Sequence, residues 1–130
     1  MRKLILGLLI LLMVNTDFII AQDSLKMELS KMKSYYFVML TAGKNRGQDS
    51  ATVSKIQQGH MDNINRLFKQ DKIIVAGPFL DDSNWRGIFI FDAKSKDEVV
   101  DLLKTDPAIS SGRLNYEIHP WMTQKGVCFK

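Results

Sequence analysis

Two histidines, one cysteine and a scatter of aspartates are the residues of this chain that could do chemistry. His60 stands apart by its neighbours. Val53, Ile56, His60, Ile64, Leu67 and Phe68 recur at three- and four-residue steps, which is one face of an amphipathic helix. Every member of that stripe is apolar except His60. An imidazole on the core side of a small domain is costly unless its ring nitrogens are satisfied. Two readings follow: a buried histidine bonded to a carbonyl, or a site residue at the edge of a cleft, partnered by a carboxylate from elsewhere. The second reading has a chemistry. Histidine titrates near neutrality, so it can accept and return a proton. A carboxylate on one ring nitrogen fixes the tautomer and raises the basicity of the other. Such a pair suits proton abstraction or elimination on a small polarised substrate, the work of lyases and isomerases. It needs no metal and no cofactor.

The other reactive types carry less. Asp62 lies two residues after His60, on another side of the helix, and reads as solvated charge. Arg113, Asn115, Glu117 and His119 alternate with Leu114, Tyr116 and Ile118, which puts His119 on a solvated strand face. Neither histidine has a cysteine at zinc-site spacing. Cys128 is the lone cysteine and sits in the C-terminal tail, so no internal disulfide can form, and a disulfide between chains is its one alternative to no role. There is no Gly-x-Ser-x-Gly elbow and no phosphate-cradling loop, since Gly43 and Gly47 are isolated. Trp85 and Arg86 either rim a pocket or close a hairpin.

The elements that must position His60 are legible in order. Tyr35–Leu40 is a strand with two apolar faces. Residues 42–50 form a loop, and the His60 helix spans about Thr52 to Gln70. Ile73–Ala76 opens a second strand, which Gly77-Pro78 interrupts and Phe79-Leu80 continues. Asp81 to Asn84 is a polar turn. Gly87–Phe91 is a third strand, again apolar on both faces. Ser95 and Glu98 form a capping box for a second helix, which Asp106-Pro107 stops. Residues 110–112 are a turn, and Arg113–Trp121 is a fourth strand. The order β-α-β-β-α-β is the split plan of a ferredoxin-like α+β domain, a four-stranded antiparallel sheet with two helices. Two helices cover only one face. The apolar face left open calls for a second copy of the chain, a homodimer through the sheet.

The chain is 130 residues long, with 45% apolar and 25% charged residues, enough for one globular domain. Arg2 and Lys3, the apolar run from Leu4 to Val14, and Ala21 give residues 1–21 the layout of a secretory signal peptide. A membrane anchor is the rival, but Asp17 falls inside the length a span needs. Cleavage there predicts a periplasmic or secreted protein with no stable membrane anchor. Residues 22–33 read as a linker or loose helical lead-in, 34–124 as the domain and 125–130 as a tail. The mature chain would carry 16 basic and 13 acidic residues without a basic stripe, which argues against nucleic acid.

The strand Tyr35–Leu40, His60 within the first helix, Val75-Ala76-Gly77-Pro78-Phe79, Asp106-Pro107 with Gly112, and Glu117-Ile118-His119-Pro120-Trp121 together resemble the YCII-related domain proteins of the dimeric α/β barrel superfamily. The likeness runs from about Lys33 to Thr123. It implies a dimer with a cleft between sheet and helices, and an active site centred on a histidine and an aspartate. By position His60 looks like that histidine. Asp106 matches the family's Asp-Pro and ranks first as its partner; Asp81, after the Gly-Pro-Phe turn, ranks second. Asp106 also has a structural alternative, since Asp-Pro is a common helix stop. The resemblance implies cofactor-free chemistry on a hydroxylated aromatic or a lactone. The other class of function open to the same fold is a non-catalytic module that binds a small ligand.

Overall fold

The computed structural model describes residues 21–127. Residues 1–20, with most of the signal segment, and Cys128 lie outside the described residues. Two compact units are distinguished. One is Ser34–Met122; the other joins the segments before and after it. In the latter, residues 21–30 are helical, and the Lys125 N–H donates to the Lys31 carbonyl at 2.8 Å.

The fold comprises β1 (Met32–Ala42), α1 (Ser50–Lys69), β2 (Ile73–Pro78), β3 (Trp85–Phe91), α2 (Lys96–Lys104), a short α3 (Pro107–Ser110) and β4 (Leu114–Gln124). The strands form one antiparallel sheet in the order β2-β3-β1-β4, the ferredoxin-like arrangement. Two details depart from expectation. Pro78 does not interrupt β2 but ends it, and β2 is an edge strand, where a missing N–H leaves no ladder bond unmade. Asp106-Pro107 does stop α2, but it also starts α3: Asp106 is the N-cap, and Pro107 takes the first-turn place that its fixed φ suits.

The ends of α1 are fixed by local chemistry. Asp49 caps it, accepting from the Thr52 N–H at 3.0 Å and the Thr52 hydroxyl at 2.7 Å. These bonds, the hydroxyl's first, hold the Asp49 carboxyl below the usual carboxylate range. At the other end Asp71 turns left-handed at φ 54°, so that Asp71 N–H reaches the Phe68 carbonyl and Lys72 N–H the Leu67 carbonyl. With both ends set, Ile64 and Leu67 meet the sheet.

The core lies on one face of that sheet. Val38 and Leu40 of β1, Phe89 and Phe91 of β3, Ile73 of β2 and Ile118 of β4 pack with Leu67, Val99 and Leu103 of the helices. Cross-strand partners confirm a shared face: Tyr36 opposite Phe91, and Val38 opposite Phe89. The other face pairs Phe37 with Ile90 and Met39 with Ile88. Leu114, Tyr116 and Ile118 turn inward on β4 while Asn115, Glu117 and His119 are exposed, as the alternation predicts.

Ser95 caps α2, accepting from the Glu98 N–H. The Glu98 carboxylate reaches past the cap to the Lys94 N–H at 2.8 Å and meets the Lys72 ammonium at 2.7 Å, tying α2 to the entry of β2. Lys72 first, and then the Lys94 N–H, hold the Glu98 carboxyl below the usual range. A carboxyl lowered in the folded state stabilises above its unfolded value, and that contribution is lost as pH falls through the folded one. Glu98→Gln should therefore lower the melting temperature near neutral pH, with the gap to the parent closing below about pH 4. A thermal denaturation series against pH reads this directly; a gap that persists unchanged in acid would contradict it.

Candidate active site

The middle of α1 meets the start of α3, and one carboxylate joins them. Asp106 is fully buried. Its Oδ1 accepts the Ala108 N–H at 2.8 Å, the capping bond of α3. Its Oδ2 lies 2.7 Å from His60 Nδ1. An ionised carboxylate only accepts, so opposite it Nδ1 donates, and in the neutral ring of that tautomer Nε2 carries the lone pair. No described residue hydrogen-bonds Nε2. The imidazole also lies tilted against Phe89, ring centroids 6.1 Å apart. Phe89 is held in turn by an edge-on contact with Phe91. The ring is thus fixed on one side and available on the other.

The close approach depends on Gly59. A Cβ there would lie 2.8 Å from Pro107 Cγ, inside any real contact. Glycine at the middle of a helix is otherwise unfavourable by about 1 kcal/mol, and here it lets α1 settle on the proline ring.

His60 lines a cavity of about 590 Å³ between α1 and the core face of the sheet. That size suits a small organic molecule. Leu40, Ile56, Met61, Ile64, Phe68 and Phe89 form apolar walls. Its polar residues are His60, Gln57, Asn65 and three arginines, Arg46, Arg86 and Arg113, and no aspartate or glutamate lines it. Arg46 and Arg113 are brought there by two stitched loops. Gly43 N–H donates to the Arg113 carbonyl at 2.8 Å and Asn45 N–H to that of Gly112 at 3.0 Å. Gly43 is so close that a Cβ would lie 2.1 Å from the Gly112 oxygen.

Arg86 arrives by a bulge. Leu40 pairs with Gly87 but Thr41 pairs with Trp85, so Arg86 is the extra residue on β3. Strict alternation from Phe91, Phe89 and Gly87 would point it away from the core. The bulge returns it to the cavity.

Of the two aspartates ranked as partners of His60, Asp106 meets it and Asp81 does not. Asp81 is exposed in the turn after β2, accepts from the Ser83 hydroxyl at 3.1 Å, and does not line the cavity. Its chain has already left the sheet at Pro78, so the carboxylate folds back on its own turn. Asp62 is exposed and bonded to Gln58. His119 is exposed, 3.7 Å from Glu117. Trp85 is half exposed and leans on Phe79, while its neighbour Arg86 enters the site. Gly59 and Arg46 escaped the sequence reading, and Arg113, read there on the solvated face with Asn115, Glu117 and His119, instead lines the cavity, because it precedes β4, which begins at Leu114. Only Gly59 left a signal, as a glycine in mid-helix directly before the one polar residue of the stripe. Among the described residues no three His, Cys, Asp or Glu side chains cluster as metal ligands would.

A sheet in this order, with helices on one face and a cleft between them, defines a ferredoxin-like α+β domain. The chain belongs to the YCII-related domain family, whose model matches residues 35–122. Among solved structures, a muconolactone isomerase is similar at 14% identity and a TM-score of 0.57, over 74% of this chain and 96% of that one. A 5-chloro-2-hydroxyhydroquinone dehydrochlorinase from Burkholderia phenoliruptrix AC1100, solved with 2,5-dihydroxybenzoquinone, aligns at 21% identity and a TM-score of 0.48. It covers 66% of this chain and 92% of that one. No curated protein matches the sequence.

Gly59→Ala tests the contact that sets the site. Helix propensity alone favours alanine by about 1 kcal/mol, whereas overpacking against a rigid ring costs about 1–3 kcal/mol. The expected outcome in urea unfolding is a net loss of stability. A gain of the full propensity increment would show that α1 and Pro107 separate without cost.

Proposed function

We propose that this protein is an exported, homodimeric enzyme that performs cofactor-free acid–base chemistry with His60 on a small organic substrate. The observation that carries the reading is the Nδ1–Oδ2 contact of 2.7 Å, made to a fully buried carboxylate by a histidine on a cavity wall. His60 Nε2 takes a proton from the substrate. The electron pair left behind moves into the substrate's π system or expels a leaving group. The imidazolium formed is held by Asp106, and His60 then gives the proton back to another substrate atom or to water. The first outcome is an isomerisation and the second an elimination. Apolar walls around a basic nitrogen suit a hydroxylated aromatic or a lactone. That an isomerase shares the fold is compatible with this role and does not decide it. Export rests on the signal-like pattern of residues 1–21.

The test is made on the chain lacking residues 1–21. The His60 ring is followed by NMR through a pH titration, with a His119 variant to assign the two histidines. A His60 titration that moves in Asp106→Asn is expected; a His60 signal insensitive to that change would overturn the coupling. Against a panel of hydroxylated aromatics and lactones, His60→Ala should reduce turnover by about 10²–10⁴-fold. Panel members that stabilise the protein without being consumed would make it a binding module instead.

The dimer rests on the second sheet face. Phe37, Met39 and Ile88 lie there only partly buried, and within residues 34–122 both long helices pack on the opposite face. Light scattering at micromolar concentration should return twice the chain mass, and a monomer would refute the face-to-face assembly.

A further inference from the structure

Three arginines line the cavity and no aspartate or glutamate lines it to balance them. Asp106, the one acid beside it, has no exposed surface and both its oxygens are taken. The three arginines are not equivalent. Arg46 donates from a terminal nitrogen to the Arg113 carbonyl at 3.1 Å, and Arg113 donates to Gln48 Oε1 at 3.0 Å. These two hold the loops together. The Arg86 side chain makes no hydrogen bond or ion pair with any described residue, and its Nε is buried without a partner. A buried donor on a permanent cation is expensive to leave unmatched. It is also at the one place in β3 where the backbone departs from alternation, and that departure is what turns it inward.

We propose that the cavity takes a small organic acid, with the substrate carboxylate seated on Arg86. The two terminal nitrogens of a guanidinium form a planar two-pronged donor whose spacing matches a carboxylate. Arg46 and Arg113 add positive potential from the same wall. The apolar residues opposite receive the body of the molecule, and His60 Nε2 serves as its base. A phosphate ester is disfavoured by what else the cavity offers. Its lining includes one glycine pair, Gly77 and Gly87, both inside strands, and no helix N-terminus with free N–H groups; α1 starts under an acidic cap at Asp49. This assignment rests on the acid–base reading of the same cavity and names the substrate class for it.

The experiment measures binding, so that it stands apart from turnover. Benzoate, its neutral methyl ester and inorganic phosphate are titrated into the mature chain by calorimetry, with the Arg86 Nε–H and His60 ring signals followed by NMR. Benzoate is expected to bind and to shift both signals, and the ester and phosphate to bind at least about tenfold more weakly. Arg86→Gln should weaken benzoate by about tenfold or more, and Arg86→Lys, which keeps the charge but not the fork, should also weaken it. His60→Ala should retain benzoate. An ester or phosphate that binds as well as benzoate overturns the proposal, as does undiminished binding by both Arg86 variants, or no binding by the parent protein. Loss of binding in His60→Ala alone would move the anion to the imidazole and overturn the Arg86 seat. The ester comparison needs no variant, so a poorly folding Arg86→Gln leaves the test intact. If benzoate binds as expected while His60 proves insensitive to Asp106, the acid–base reading fails and the anion seat survives.

Discussion

A carboxylate that touches no water must find its donors in the protein, and Asp106 is such a group. One oxygen takes the first free N–H of α3 and the other takes His60. The first bond is local to the cap; the second forms only where α1 and the turn after α2 come within reach of each other. Gly59 and Pro107 permit that distance, and the caps at Asp49 and Asp71 fix where along the sheet α1 lies. The site is therefore not an addition to the fold. Satisfying one buried group brings the helix, the turn and the imidazole into a single arrangement, and the imidazole nitrogen left over faces the cavity.

The regular half of the molecule was legible in the sequence. The strands and both long helices follow from periods of two and of three to four, and those periods give the β-α-β-β-α-β sequence of elements and put His60 on the apolar stripe of α1. The ranking of Asp106 over Asp81 came from a local Asp-Pro pattern seen in a family, not from any rule that forecasts contact between residues 46 apart. What the pattern did not give was irregular backbone. Pro78 looked like a break because nothing local marks an edge strand. Residues 107–110 looked like part of a stop, although a proline after a capping aspartate can equally begin a helical turn.

The same division runs through the cavity. Its apolar wall comes from residues that the helical stripe and the strand alternation already place inward. Its cationic wall comes from a loop pair and a bulge, where spacing along the chain says little about direction. Arg46 and Arg113 are 67 residues apart and meet only because Gly43 allows two backbones to touch. A reading of periodicity alone finds the histidine and the apolar surface, and misses the arginines beside them.

The bulge at Arg86 makes the sheet sensitive to counting as well as to chemistry. In a strand, odd and even positions belong to opposite sides, and one extra residue exchanges them. Let β1 and β3 re-pair without the slip, and a permanent cation would pass from the cavity to the other, apolar face of the sheet. The side on which Arg86 stands is thus set by a count of residues in β3 as much as by their types.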